Sequence, residues 1–162
     1  MDSLTLLREN LADLTSYSLL AVGLLLLGFL GLELVTPGNL RNKIWREGNR
    51  SAVILAVAQS LGLIFALAGG IAADPGLPLW RGIVNTAVYG VVTIALMMFS
   101  FVLIDLLTPG RLGAVLLDHD DARPEDDGDD VAESTGRHHP AVWLNAVIFV
   151  AIGLFVSAAL SL

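Results

Sequence analysis

Four stretches of this chain contain no Asp, Glu, Lys or Arg: Leu14–Leu32, Ser51–Ala73, Gly82–Ile104 and His138–Leu162. Each has 19 residues or more, and a helix needs about 20 apolar residues to cross the hydrocarbon core of a bilayer. No water reaches the backbone there, so a spanning segment must satisfy its own N–H and C=O groups, as a helix does. Little chain is left over for a soluble core. The hydrophobic share of 55% and the mean hydropathy of +0.73 exceed those of an ordinary soluble domain. The expectation is an all-α membrane protein with four transmembrane helices.

The first run does not read as a cleaved leader. Its flank, MDSLTLLRENLADL, carries three acids and one Arg where a signal peptide has a basic start, and no A-x-A site follows. It is expected to remain as a helix. The chain has no cysteine, which excludes disulfides, thiol redox chemistry and thiolate metal sites.

The runs are also related to one another. Gly28–Leu40 reads GFLGLELVTPGNL and Ser100–Leu112 reads SFVLIDLLTPGRL, 72 residues apart. The offset places Tyr17 on Tyr89, Glu33 on Asp105, Thr36 on Thr108, Pro37 on Pro109 and Gly38 on Gly110. Each copy ends an apolar run with an acid and then Thr-Pro-Gly. Residues 14–73 therefore form a first transmembrane hairpin and 82–162 a second, the latter holding an acidic loop at 118–139. Each hairpin crosses twice, so the second enters in the same direction as the first. The repeats are expected to be parallel and in tandem, related by an axis along the membrane normal.

Seven of the nine Lys and Arg lie in 37–50 and 110–137, against Arg8 and Arg81 on the side of the termini. Orientation follows Lys and Arg near the helix ends and is not a net-charge rule. Both large loops are therefore expected in the bacterial cytoplasm and both termini outside. The net charge of −7 does not reverse this, because nine of the sixteen acids fall between Asp118 and Glu133. Trp45, Trp80 and Trp143 sit near expected helix ends, as in an aromatic belt. The outer connection DPGLPLWR is a tight turn, so the second and third helices should be antiparallel neighbours.

Thr is a good N-cap and Pro fits the first turn of a helix. Thr36 and Thr108 read as caps, and Pro37 and Pro109 as first residues of short surface helices, the membrane helices stopping near Val35 and Leu107. In the first copy Leu40, Ile44 and Trp45 would share one side, with Arg41, Lys43 and Arg46 largely elsewhere, a pattern suited to the headgroup layer. A plain reverse turn is the alternative. Glu33 and Asp105 lie one turn before these caps. They read either as headgroup-level partners of Arg41, Lys43 or Arg111, or as a carboxylate pair facing the bundle interior, since an intramembrane acid is a site hypothesis by default.

Ala58, Gly62, Ala66 and Gly70 recur every four residues, as do Gly153, Ser157 and Ser161. Such small-xxx-small seams let helices approach closely in lipid. Gln59, Asn145, Asn85, Thr86 and Thr93 are expected mostly to form interhelical hydrogen bonds, Gln59 and Asn145 being the better candidates for lining a cavity.

Residues 118–139, DHDDARPEDDGDDVAESTGRHH, are polar and rich in like charge, and read as a solvated linker. Setting Gly128 at the sixth position of a calcium loop puts Arg123 first and Ser134 twelfth, so that pattern fails. His119, His138 and His139 lack metal-ligand spacing. No H-E-x-x-H, phosphate loop or Ser-His-Asp arrangement is present. No enzymatic activity, cofactor or metal is expected.

The stretch Glu33–Ala52, ELVTPGNLRNKIWREGNRSA, resembles the signature of domain-of-unknown-function family 350, the small YjfL-like bacterial transmembrane proteins. Thr36 and Pro37 carry the likeness, followed by Gly48-Asn49 and the small residues Ser51 and Ala52 that open the next helix. In the second copy Thr108, Pro109 and Gly110 match, but the Gly-Asn step is replaced by the acidic insertion and His138-His139-Pro140. The likeness covers nearly the whole chain. It implies two repeated pairs of transmembrane helices, and no activity, substrate or catalytic residue.

Two functions follow as expectations. The first is a non-enzymatic, oligomeric membrane scaffold or anchor in the bacterial cytoplasmic membrane. Its partners would be the lipid bilayer, further copies of the chain and a cytoplasmic protein, not nucleic acid. The second is a small channel or ion-coupled transporter using Glu33 and Asp105.

Overall fold

The computed structural model describes residues 3–36, 40–73, 76–107 and 140–162. The elements are α1 (Ser3–Val35), α2 (Leu40–Trp45), α3 (Arg50–Ala73), α4 (Leu79–Leu107) and α5 (Pro140–Leu160). Four of them, α1, α3, α4 and α5, are long and apolar enough to cross a membrane. The helix α1 stops at Val35, as expected, and α4 is described as far as Leu107.

Side-chain contacts fix the direction of each helix. On α1 and α4, Tyr17 meets Gly82, Leu24 meets Gly90 and Gly31 meets Met98, so these two run the same way. On α3 and α5, Gly62 meets Gly153 and Gly69 meets Ser157, again in one direction. Gly28 faces Gln59 and Leu63 while Leu24 and Leu67 both reach Gly90, so α3 runs against α1. Gly70 against Thr86 and Tyr89 sets α3 antiparallel to α4, as the short turn demands. Directions alternate along the chain. One end of the bundle therefore carries α2 together with Leu107 and Pro140; the opposite end carries the turn at 76–78.

The core lies along the faces these contacts define. Near the α2 end, Leu32, Leu40, Leu55, Met97, Phe101 and Phe149 are buried together, with the Phe101 and Phe149 rings 6.5 Å apart at 30°. Nearer the turn, Leu24, Leu63, Leu67 and Ile94 form a second cluster. The outward faces stay apolar and exposed, as a surface solvated by lipid tails requires. Trp45, Trp80 and Trp143 are exposed close to helix ends, and the Arg81 guanidinium lies 5.2 Å from the centre of the Trp80 ring.

Several ends differ from expectation. The helix α1 begins at Ser3, well before the charge-free run, and its 33 residues span about 50 Å against a hydrocarbon core of about 30 Å. Charges at Arg8, Glu9 and Asp13 end an apolar run but do not end a helix in water. The surface helix is described from Leu40, and its expected start at Pro37 lies outside the described residues. Thr36 does not cap it: its N–H donates to the Leu32 carbonyl at 2.9 Å, extending α1, and its hydroxyl has no hydrogen-bond partner. Leu40 is buried and Ile44 packs on the core, so α2 closes the end of the bundle while Trp45 stays outside. Pro37, Gly38, Thr108, Pro109, Gly110 and the acidic loop 118–139 lie outside the described residues.

The Gly48-Asn49 step has a clear local role. Gly48 takes φ +61, a conformation that suits glycine, and ends the turn after α2. The Asn49 side-chain oxygen then accepts from the N–H groups of Ser51 at 2.9 Å and Ala52 at 3.2 Å, capping α3.

Candidate functional site

Glu33 and Asp105 are each half-buried, two residues from the described ends of α1 and α4. Leu32 beside Glu33 is fully buried and Leu34 is 87% exposed, so the carboxylate sits at the edge of the core. The two acids do not share a level. Contacts between α1 and α4 pair residues at offsets of 63 to 67, centred near 66, whereas the repeated phrases are offset by 72. Asp105 thus lies some six residues, about 9 Å, further toward the α2 end than the level of Glu33. An exact two-fold axis would have placed them at equal depth. Of the basic residues considered as partners, Lys43 makes a 3.2 Å ion pair with Glu47 one turn along.

The polar residues divide sharply. Gln59 is 3% exposed and donates from Nε2 to the Gly28 carbonyl at 2.7 Å, tying α3 to α1. Gly28 leaves the space for this bond: a Cβ there would lie 3.2 Å from the amide nitrogen. Thr93 donates to the Tyr89 carbonyl of its own helix at 2.7 Å, the usual outlet for a hydroxyl in a helix, and not across helices as expected. Asn145 is fully buried, and neither its amide nitrogen nor its amide oxygen has a partner. The Thr86 hydroxyl is buried and unpaired as well. Asn145 shares a face of α5 with Val142 and Phe149, both in the core near the α2 end. It is the polar group in the described bundle that packing alone explains least.

The tightest feature is the α3–α5 crossing. A Cβ on Gly153 would collide with the backbone of Gly62, and one on Gly62 with the Phe149 carbonyl oxygen. Further along, a Cβ on Gly69 would lie 2.6 Å from Ser157 Cα. Two of the expected seams therefore meet, but not throughout. Gly70 faces Thr86 and Tyr89 of α4, Gly69 replaces it at Ser157, and Ser161 lies beyond the end of α5, exposed. From the crossing toward the α2 end the two helices stay packed through Leu55, Ala58, Val142, Ala146 and Phe149. On their outer face they leave an open apolar groove of about 550 Å³, lined by Val53, Val57, Leu61, Trp143, Val147 and Leu154 among others. Among the described residues, no group of three His, Cys, Asp or Glu is placed to hold a metal ion.

Long apolar helices, glycine-mediated crossings and lipid-facing leucines define a helical transmembrane protein. The family model for the domain of unknown function DUF350 matches residues 5–160, and the chain belongs to that family. It is 31% identical to a UPF0719 transmembrane protein of Mycobacterium bovis, over 98% of this chain and 93% of the relative. The same figures hold for one of Mycobacterium tuberculosis. A third, from Mycolicibacterium paratuberculosis, is 28% identical over 90% of this chain and 84% of its own length. No solved structure matches.

Proposed function

We propose that the chain is a non-enzymatic membrane scaffold, built from two tandem hairpins that point the same way and assembled from several copies. The observation that carries this reading is the α3–α5 crossing, where Gly62 and Gly153 touch backbone to backbone. A contact of that kind fixes two helices against each other and leaves no room between them for a permeating ion. The alternating directions and the paired Thr-Pro-Gly phrases support the tandem arrangement, with the six-residue slip as its departure from exact symmetry. By the Lys and Arg bias, the α2 end faces the bacterial cytoplasm and the termini face outward. The cytoplasmic face, with α2 and the acidic loop, is the surface for a protein partner. The test is the mass of the chain extracted with its native lipid: a multiple of 17.2 kDa supports a scaffold, and a single copy removes it.

One observation favours a second reading, a small ion-coupled transporter using Glu33 and Asp105. The unpaired Asn145 amide is a polar group held in an apolar bundle, which marks pathways in other membrane proteins. Liposome flux of protons and monovalent cations separates the two. Flux that falls in Glu33→Gln plus Asp105→Asn supports transport, whereas no flux, or flux unchanged in the variant, leaves the scaffold.

A further inference from the structure

The first eleven residues of α1 stand clear of the bundle. Tyr17 is level with Gly82, three residues into α4, so residues 3–13 run about 16 Å past the turn end. Every described side chain from Leu4 to Thr15 is exposed. Leu4, Leu7 and Leu11 of this segment, with Leu14 where it meets the charge-free run, recur at intervals of three, four and three, the a and d positions of a heptad pattern. They are 76%, 56%, 52% and 64% exposed. Deeper leucines on the same helix are equally bare but meet lipid tails, where exposure costs nothing. The hydrophobic effect acts on the leucines that pass beyond the hydrocarbon into water, and those need a cover.

We infer that this outer leucine stripe on α1 is the seam through which a second copy of the chain docks, as a short parallel helix pair above the membrane. The inference rests on the oligomeric scaffold reading and names its interface. Heptad spacing selects a helix as partner. Copies inserted the same way into one bilayer present this segment side by side and parallel, with no search over orientation. The charges permit self-pairing: Glu9 and Asp13 fall at outer f and c positions, and in a parallel pair Asn10 meets Thr15 while Arg8 meets an uncharged position. A membrane surface is a poorer cover. Helices that lie on lipid carry Lys and Arg on the polar face, and here two acids outnumber one Arg. Two heptads are too short to associate from free solution, but the transmembrane anchor raises the effective concentration of the partner.

The cysteine-free sequence makes the test direct. Leu7→Cys, Leu11→Cys and Glu9→Cys are each placed in the full chain, oxidised in native membranes and run on non-reducing gels. The expected result is a band at twice 17.2 kDa for Leu7→Cys and Leu11→Cys, at least fivefold stronger than for Glu9→Cys. Equal bands at all three positions mean random collision and overturn the seam. So does the absence of dimer at Leu7 and Leu11, whether the thiols react with a water-soluble maleimide (bare) or resist it (covered by lipid). If the unmodified chain still extracts as several copies, the seam alone fails. If it extracts as one copy, the scaffold fails with it.

Discussion

At the scale of single residues, the described contacts separate glycines that are needed from glycines that are not. Gly153 has no space for a methyl group, because the backbone of Gly62 occupies it and a backbone cannot rotate aside. Gly153→Ala is expected to destabilise the bundle by about 1–3 kcal/mol, the usual cost of overpacking. Gly23 has nothing within 4 Å of where its Cβ would be, so Gly23→Ala should cause no loss. Far-UV circular dichroism during graded denaturation in SDS reads both, and equal stability of the two variants would contradict the crossing. Asn145 gives an opposite expectation. A buried amide with no partner is a liability of about 1–3 kcal/mol, so Asn145→Leu should raise stability by a similar amount in the same assay. A loss would mean that the amide has a partner in the folded protein. Sequence placed Gln59 and Asn145 in one class, since both are amides in apolar runs. What divides them is whether a carbonyl lies opposite: the α1–α3 register brings the Gly28 carbonyl to Gln59, and α5 brings Asn145 to none.

At the scale of elements, the four helices were legible because lipid makes few demands and makes them over long stretches. The capped start of α3 was legible too, as the Gly48-Asn49 step. Its worth is testable: Asn49→Ala should cost about 1 kcal/mol by losing the acceptor for the Ser51 and Ala52 N–H groups, measured by the same denaturation. An unchanged midpoint would contradict the cap. Other ends were hidden. The outer part of α1 was not legible because Arg8, Glu9 and Asp13 interrupt hydropathy, and hydropathy reports lipid rather than helicity. Thr36 looked like a cap by residue type, yet its N–H stays in the α1 ladder. The short helix α2 was expected to lie on headgroups, and instead Leu40 and Ile44 turn inward against the core. Its apolar side has two candidate partners, lipid and bundle, and sequence alone does not choose between them.

For the whole molecule, the four charge-free runs marked the four long helices, and the contacts fixed which way each one runs. Parallel α1 and α4 and parallel α3 and α5 follow from directions that alternate along the chain. The level of the acids was not legible. Matching positions in two copies share a depth only if the copies are related by an exact axis, and the slip between offsets of 66 and 72 separates Glu33 from Asp105 along the bundle. That slip sets the two carboxylates at different levels, which a single ion site shared by both would have to bridge. Labelling tests the arrangement most directly. Asn42→Cys, Asp127→Cys and Leu77→Cys are introduced singly into the cysteine-free chain, and intact cells are exposed to a maleimide that does not cross membranes. Tandem hairpins pointing the same way predict that Leu77→Cys is labelled at once, and that Asn42→Cys and Asp127→Cys are both labelled only after the cells are opened. Labelling of Asn42→Cys and Asp127→Cys from opposite sides of the membrane would contradict it.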